Sequence, residues 1–343
     1  MIARYAIPFF FLMGLVVAPL VCYLITRWLL PKRVRRYTFL ACTLFIWGTV
    51  AYGYLVGFQQ LQVHHVEFAS HDLPEAFDGY RIVQFSDAHI ATCKGSKRWL
   101  LQRAVDSINA QRADAIVFTG DMQNIYPDEL PPFAAILRQL KAKDGVYAVL
   151  GNHDYAVYQQ GSESEKERRC QETVRNIREM GFDLLLNEHR TILRPSQQSA
   201  ANAPSNIGNA SAPSNIGNAS DSIVIAGMEN WGKAKRMPRR GDVGKTLAGV
   251  SDSAFVVMLQ HDPTCWREKI LAESRAQLTL SGHTHGGQAS VFGWSPVSFS
   301  YNEWGGFYHE GERSLYVSTG LGALIPFRLN QPGEIVVITL RKK

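Results

Sequence analysis

The sequence predicts an α/β protein preceded by an N-terminal transmembrane helical hairpin. Residues 1–58 contain two long uncharged apolar runs, and after residue 58 short apolar segments typical of strands alternate with segments of helical spacing. Alternation of this kind predicts helices layered on central sheet. Polar residues directly follow several of the predicted strands. Because α/β sheets bind ligands beyond the carboxyl ends of their strands, these residues mark a candidate site.

Composition and charge narrow the class of protein. The chain has 343 residues, of which 46% are hydrophobic and 19% are charged. These values exclude collagen, a disordered chain and a small disulfide-stabilised protein. Residues 1–58 hold six Lys and Arg and no acidic residue; without those six, 30 of the 36 basic residues remain, and the 30 Asp and Glu balance them. Since a nucleic-acid-binding domain usually carries a basic excess, nucleic acid is not favoured as a partner.

The two apolar runs, 7–25 and 37–58, predict two membrane-spanning helices, because about 20 apolar residues cross a bilayer as a helix. The segment between them is basic and contains Arg27, Lys32, Arg33, Arg35 and Arg36. Basic loops stay in the cytoplasm. We therefore expect a multi-pass protein of the cell (inner) membrane, with residues 59–343 on the extracytoplasmic side. The alternative is one signal anchor followed by a buried helix.

The soluble part, residues 59–343, is predicted to form one α/β domain. Helical spacing occurs at 97–110, 130–142 and 163–180. Strands are predicted at 81–86, 115–119, 146–150, 222–226, 254–259, 278–280, 315–318 and 334–340. The five cysteines include no C-x-x-C pair, so they predict neither a disulfide framework nor a zinc knuckle.

Residues 195–221 do not fit this pattern. The nine-residue sequence APSNIGNAS occurs at 203–211 and again at 212–220. Two copies are too few for a solenoid, and a composition of Ser, Asn, Gly and Pro is typical of a flexible segment. We therefore predict a flexible surface insertion in the domain.

Five of the predicted strands run directly into polar residues. These residues are Asp87 and His89, then Asp121, then Asn152 and His153, then His261, and finally His283 and His285. Carboxylate oxygen and imidazole nitrogen are ligands for Zn, Mn and Fe. No cysteine lies in these loops, which disfavours a structural zinc site. The ordered set predicts a metal centre at one edge of the sheet.

The order D-x-H, G-D, G-N-H-D, H, G-H-x-H resembles the calcineurin-like metallophosphoesterase family over roughly residues 73–340. The segments SGHTHGGQ (281–288), GNHDY (151–155) and the closing 318–340 are similar to its bacterial membrane-attached subgroup. The resemblance implies a four-layer α/β/β/α metallophosphoesterase sandwich and a binuclear metal centre, with Mn²⁺ the favoured ion and Fe or Zn the alternatives.

The resemblance also implies roles for individual residues. The first metal would be bound by Asp87, His89, Asp121 and His285, and the second by Asp121, Asn152, His261 and His283. Asp121 would bridge the two ions, and His153 would be the general acid or a phosphate contact. Many relatives carry an Asp three residues after the bridging one, which orients this histidine. Asn124 stands there instead, and we expect a catalytic contribution from it by hydrogen bonding.

The implied function is hydrolysis of phosphate mono- or diesters by a membrane-anchored enzyme, with a water between two cations as the nucleophile. The substrate would be a phosphoester, lipid-linked ones included, and no protein partner is expected. The alternatives are a nuclease-like phosphodiesterase and a catalytically idle membrane receptor or scaffold that keeps the fold.

The segment after His285 is rich in aromatic residues: Phe292, Trp294, Phe299, Tyr301, Trp304, Phe307 and Tyr308. Two interpretations compete. The residues form core-packing turns, which we favour, or a loop that faces the bilayer or a lipid tail, since Trp and Tyr prefer membrane interfaces.

Overall fold

A computed structural model describes residues 2–196 and 220–343. The chain begins with two helices, α1 (Ile2–Leu29) and α2 (Lys32–Leu55). They lie antiparallel, since the Trp47 indole donates to the Leu15 carbonyl at 3.1 Å and the Tyr23 and Phe39 rings are 5.5 Å apart. Only residues 30–31 link them. The predicted basic loop is thus mostly helical: Arg27 lies in the last turn of α1, and the other four cations lie at the start of α2.

Where side chains are described, the helical stretch Lys32–Gln59 is long and apolar enough to span a bilayer. The part of α1 whose side chains are described, Gly14–Leu29, is also apolar. Large apolar side chains on both helices, such as Trp28 and Phe45, are exposed. The predictions of two spans and of their orientation stay predictions.

The domain contains two six-stranded sheets. The first has the order β1–β12–β2–β3–β4–β5, with β1 at Leu61–Ser70, β2 at Arg81–Phe85, β3 at Ala115–Phe118, β4 at Val146–Ala148, β5 at Asp183–Leu184 and β12 at Gly333–Lys342. The second has the order β10–β11–β9–β8–β7–β6, with β6 at Glu188–Pro195, β7 at Ser220–Gly227, β8 at Phe255–Leu259, β9 at Leu278–Ser281, β10 at Gly306–Glu310 and β11 at Arg313–Val317.

Three apolar cores separate four layers. The outer face of the first sheet packs on α3 (Arg98–Ala110), α4 (Ala134–Leu137) and α5 (Glu163–Glu179). The inner faces of the two sheets pack on each other, as Val117 and Val257 illustrate. The outer face of the second sheet packs on short helical segments that include Trp266. The α/β prediction and the four-layer α/β/β/α order that the resemblance implied are confirmed.

Several element boundaries differ from the sequence predictions. The helix predicted at 130–142 is reduced to one 3₁₀ turn, Pro131–Phe133, and the short helix α4, because proline has no amide hydrogen to donate. Strands β1, β5, β6 and β10 were not predicted. The predicted insertion overlaps two strand ends, since Pro195 of β6 pairs with Ser220 of β7. Residues 197–219, which contain most of the repeat, lie outside the described residues.

One edge of the sandwich collects the strand ends that matter for the site. Strands β2, β3 and β4 run parallel in the first sheet, as do β7, β8 and β9 in the second. The two sheets are joined at this edge, where the Gln84 amide donates to the Ser281 carbonyl at 2.9 Å. Strand β12 begins here, because it runs antiparallel to β2, and β1 begins beside it, with Leu61 opposite Gly333. Helix α2 therefore enters the domain at the same edge.

Candidate metal centre

The seven residues predicted as metal ligands and the predicted catalytic residue His153 lie together at this edge. Their ligand atoms fall into three groups within 4.8 Å: Asp87 with His89 and His285, His89 with Asp121 and His153, and Asp121 with His261 and His283. Asn152 joins the third group, since its side-chain oxygen lies 3.1 Å from Nε2 of His261. All eight residues are buried or nearly so. The chain thus concentrates imidazole and carboxylate groups away from water.

Asp121 lies at the middle of the cluster. Its Oδ1 accepts the backbone N–H of His153 at 2.8 Å, which fixes the carboxylate. Its Oδ2 lies 3.7 Å from Nε2 of His89 and 3.2 Å from Nε2 of His261. One carboxylate oxygen therefore faces both halves of the cluster.

The first half contains Asp87, His89 and His285. Asp87 accepts the backbone N–H of His283 at 2.9 Å, and Nε2 of His285 lies 3.4 Å from its other oxygen. Burial raises the pKa of Asp87 to about 6 and lowers the pKa of His89 to about 3. Neither ring nitrogen of the fully buried His89 has a hydrogen-bond partner among the described residues.

The buried imidazole of His89, which has no hydrogen-bond partner among the described residues, indicates whether the site fits a metal ion. Leaving a buried polar group without a partner costs about 1–3 kcal/mol. A neutral imidazole offers a lone pair, and coordination of a cation by it would offset that cost. The donor set of Asp87, His89, Asp121 and His285 is of the nitrogen and oxygen type that Zn, Mn and Fe accept. The residues present fit a metal ion.

The second half contains His261, His283 and Asn152. Nδ1 of His261 donates to the Thr119 carbonyl at 2.7 Å, so Nε2 is the nitrogen that faces Asp121. Burial alone would lower the pKa of His261, but the Asp121 carboxylate raises it to about 10. Nε2 of His283 lies 2.7 Å from the Tyr301 hydroxyl, and its Nδ1 lies 3.2 Å from Nε2 of His261. Nδ1 of His283 therefore points into the cluster.

The backbone in these loops adopts conformations that most residues avoid. Asp87, His89, Asp121, His283 and His285 all have positive φ angles, between 38° and 76°. Such conformations cost roughly 1–3 kcal/mol each and collect at functional sites. Gly282 shows how tightly the loops meet, because a Cβ there would collide with the Ser86 hydroxyl and the Asp87 carboxylate. The strained backbone of these five residues and the close packing of the loops at Gly282 hold their side chains toward the inside of the cluster.

His153 and Asn124 differ from the arrangement that the sequence suggested. Nδ1 of His153 contacts the backbone carbonyl of Asn124. The Asn124 side chain turns away, and its oxygen accepts the backbone N–H of Ala91 at 3.0 Å. Position 124 therefore touches the histidine through the main chain, a contact that does not depend on an Asp or Asn side chain.

Asp154 is a buried residue of the site to which the sequence pointed only through the G-N-H-D motif. Its carboxylate accepts the backbone N–H groups of Asp121 and Gly151, both at 2.9 Å. It also accepts those of Met122 at 3.1 Å and Gln123 at 3.2 Å. Burial raises the pKa of Asp154 to about 7, and the neighbouring Asp121 adds to this rise. Asp154 positions the loop that carries Asp121.

Two tyrosines border the cluster, and no local motif pointed to them. The Tyr158 hydroxyl accepts from the Asn152 amide at 2.9 Å, and its ring lies 4.5 Å from the His153 ring. Tyr301 contacts His283 on the other side. Both side chains are half-buried, and burial raises the pKa of each, although the positive charge of Arg236 opposes the rise. Tyr158 and Tyr301 therefore flank the cluster on two sides.

Comparison with known proteins places this geometry in a family. A model of the family described as calcineurin-like phosphoesterase matches residues 80–287, which include every predicted ligand. The chain belongs to the calcineurin-like phosphoesterase family. The family is one of metal-dependent phosphoesterases, in agreement with the resemblance.

Relatives of this calcineurin-like phosphoesterase carry consistent names. A "transmembrane protein with metallophosphoesterase domain" of Danio rerio is 30% identical over 296 residues, which cover 85% of this chain and 60% of the relative. The "uncharacterized metallophosphoesterase YkuE" of Bacillus subtilis is 30% identical over 307 residues, which cover 84% of this chain and 90% of the relative. The "UDP-2,3-diacylglucosamine pyrophosphatase LpxG" of Chlamydia trachomatis is 27% identical over 294 residues, which cover 78% of this chain and 86% of the relative.

Proposed function

We propose that this protein is a membrane-anchored phosphoesterase that uses two divalent metal ions to hydrolyse phosphate mono- or diesters. The observation that carries the proposal is the buried cluster around Asp121, in which one carboxylate oxygen faces His89 and His261. In such sites two ions about 3.5–4 Å apart clamp both the attacking and the leaving oxygen of the reaction.

The residues divide between two ions. Asp87, His89, Asp121 and His285 would hold the first, and Asp121, Asn152, His261 and His283 would hold the second. Bound there, the ions would act as Lewis acids. They would also lower the pKa of a water molecule, so that it could lose a proton and attack phosphorus at neutral pH. The chain's own contribution is orientation: Thr119 fixes the His261 ring, and Asp154 fixes the Asp121 loop. Mn²⁺ remains the favoured ion, with Fe and Zn as alternatives.

His153 is proposed to donate a proton to the leaving oxygen or to contact the phosphate. Its Nδ1 is engaged by the Asn124 carbonyl, which accepts a hydrogen bond and leaves Nε2 for the substrate. The ring is held between His89, at 4.8 Å, and Tyr158, at 4.5 Å. In the imidazolium form Nε2 carries a hydrogen that can pass to a departing alkoxide.

The proposed setting is the extracytoplasmic side of a membrane. Support comes from the span-length helix Lys32–Gln59, from a relative named as a transmembrane protein and from the cations between the two apolar runs. A reporter fused after Lys343 should be active only outside the cytosol, and activity confined to the cytosol would refute the orientation.

A relative named for a diacylglucosamine pyrophosphatase supports a lipid-linked phosphoester among the candidate substrates.

The direct test is metal-dependent turnover by the full chain in detergent. The purified protein is stripped with chelator and reloaded with Mn²⁺, Fe²⁺ or Zn²⁺, and metal content and hydrolysis of aryl phosphate mono- and diesters are measured. We expect two ions per chain and turnover of at least one ester class. Two bound ions without any turnover would favour the idle receptor, and one ion at saturation would overturn the binuclear centre.

A further inference from the structure

The aromatic loop, defined as residues 291–299, carries large apolar side chains that the described parts of the domain leave exposed. Phe292 is 104% exposed and Phe299 is 83% exposed. Val291 and Trp294 are also exposed, whereas Trp304, Phe307 and Tyr308 further along are half-buried. The packing interpretation therefore holds for the later aromatic residues and is wrong for Phe292, Trp294 and Phe299. No charged residue occurs between Ala289 and Asn302.

The tip of the aromatic loop is built to present a ring. Val291 and Trp294 exchange backbone hydrogen bonds of 2.8 and 3.0 Å, so Phe292 and Gly293 form a two-residue turn. Both have positive φ angles, 51° and 79°. Such turns prefer Asn or Asp followed by Gly, and a large aromatic residue there is an outlier. The chain therefore accepts a conformational cost to place an apolar ring in the most exposed position.

The aromatic loop is tied to the end of helix α2. The segment 325–330 runs between them: Ser290 donates to the Leu329 carbonyl at 2.9 Å, and the backbone N–H of Arg328 donates to the Gly53 carbonyl at 3.1 Å. Gly53 is the point of closest approach, because a Cβ there would collide with the Phe327 ring. The loop and the helix that has the length to span a bilayer thus belong to one connected surface.

Arg328 makes this connection rigid. The residue is 1% exposed, and its guanidinium group donates to the carbonyls of Thr319 at 3.0 Å, Gln331 at 3.0 Å and Pro332 at 3.2 Å. Further donations go to Gly320 at 2.8 Å and to Gly322. The backbone N–H of Gly322 in turn donates to the carbonyl of Asp87 at 2.9 Å. The segment that Arg328 holds therefore contacts the loop of the candidate metal centre.

We infer that the aromatic loop inserts into the interface of the membrane that holds α2, so that the metal-centre edge of the domain faces the bilayer. Three features share that edge: the entry of α2, the strand ends that carry the ligands, and the exposed apolar rings. An uncharged loop with exposed Trp and Phe is suited to the boundary between headgroups and acyl chains. The inference rests on the proposed membrane anchoring.

The test uses the full chain in phosphatidylethanolamine–phosphatidylglycerol vesicles whose acyl chains carry bromine near the headgroup. Two variants each add one tryptophan. Phe292→Trp reports on the loop tip, and Leu193→Trp is the matched control. Leu193 is an exposed apolar residue opposite Ser222 near the start of β7, which places it at the far edge of the domain. The added fluorescence of each variant is measured against wild type in brominated and unbrominated vesicles.

We expect strong quenching at position 292 and none at 193, since interfacial apolar groups sit about 5–10 Å into the headgroup–acyl boundary. Equal quenching at both positions, or none at 292, would overturn the inference; Phe299→Trp provides an independent reporter of the same loop. Flotation of the protein with the vesicles is measured first. A chain that does not float would overturn the anchoring itself, whereas a floating chain with an unquenched loop overturns the loop alone.

Discussion

The two sheets contribute different side chains to the candidate metal centre. The first sheet supplies both carboxylates, Asp87 and Asp121, together with His89 and Asn152. The second supplies imidazoles, from His261, His283 and His285. The carboxylates that were predicted as ligands therefore come from one sheet. The other sheet adds imidazole nitrogens and one buried carboxylate beside them, Asp262, whose Oδ2 lies 3.7 Å from Nε2 of His283. Neither sheet alone offers a complete ligand set, so the centre exists only when the sandwich is assembled.

The largest effect is expected from the carboxylate that both halves share. Asp121→Asn should remove both metals and nearly all turnover of an activated phosphodiester, because one carboxylate faces His89 and His261. Metal content by mass spectrometry and the rate of hydrolysis are the measurements. Asp252→Asn, at an exposed residue, is the control and should behave as wild type. Two bound ions with normal turnover would refute the bridging role.

His153 tests whether the first-sheet loops also supply a proton donor. His153→Ala should keep both ions and slow turnover by about 10²–10⁴-fold, the usual contribution of a positioned acid. The loss should be smaller for p-nitrophenolate as leaving group, because it needs little protonation. An equal loss with good and poor leaving groups would indicate phosphate binding. Loss of a metal would show that His153 is a ligand, as its place beside His89 and Asp121 allows.

Removing the metals tests how far they hold the two sheets together. Ions that bind only the folded chain stabilise it by about 2.7 kcal/mol when their concentration is 100 times the dissociation constant. Chelation should therefore lower the Tm of the wild-type chain. The Tm of Asp121→Asn should not respond to chelator. A wild-type Tm that chelation leaves unchanged would mean that the ligand cluster is stable without metal.

A substitution of Asp154 tests whether metal binding by the first-sheet loops depends on the hydrogen bonds that position these loops as well as on the ligands themselves. Asp154→Asn should weaken metal affinity by about 10–100-fold, as loss of supporting hydrogen bonds around a metal site does. The reason is that an amide presents one acceptor oxygen to the N–H groups of Asp121, Met122, Gln123 and Gly151. Metal titration followed by turnover measures this. Rescue of turnover at high metal concentration is expected, and its failure would assign Asp154 a role beyond positioning.

The smallest effect is expected at the edge of the second sheet farthest from the ligands. Deleting residues 203–219, between β6 and β7, should change the free energy of unfolding by less than about 1 kcal/mol, since a doubling of loop length costs only about 0.6 kcal/mol. Turnover should stay at the wild-type rate. A large fall in Tm would show that the repeat packs on the domain.

Sequence alone determined the α/β class, most strands and which residues gather at the candidate metal centre. These features are local: apolar runs mark the strands, and Gly-flanked polar residues follow them directly. Even the two-residue spacing of His283 and His285 could be read without coordinates. The helix predicted at 130–142 fails for a local reason too, because Pro131 and its neighbouring proline cannot donate backbone hydrogen bonds.

Tertiary structure decided which atoms meet. That the Asn124 carbonyl, and not its side chain, contacts His153 depends on a loop conformation that no spacing encodes. The contacts of Tyr301 with His283 and of Asp154 with four backbone N–H groups depend on how separate loops fold against each other. The approach of Gly53 to Arg328 joins residues from opposite ends of the chain. Local patterns report which side chains a segment offers, whereas their partners depend on long-range packing of two sheets and a helix at one edge.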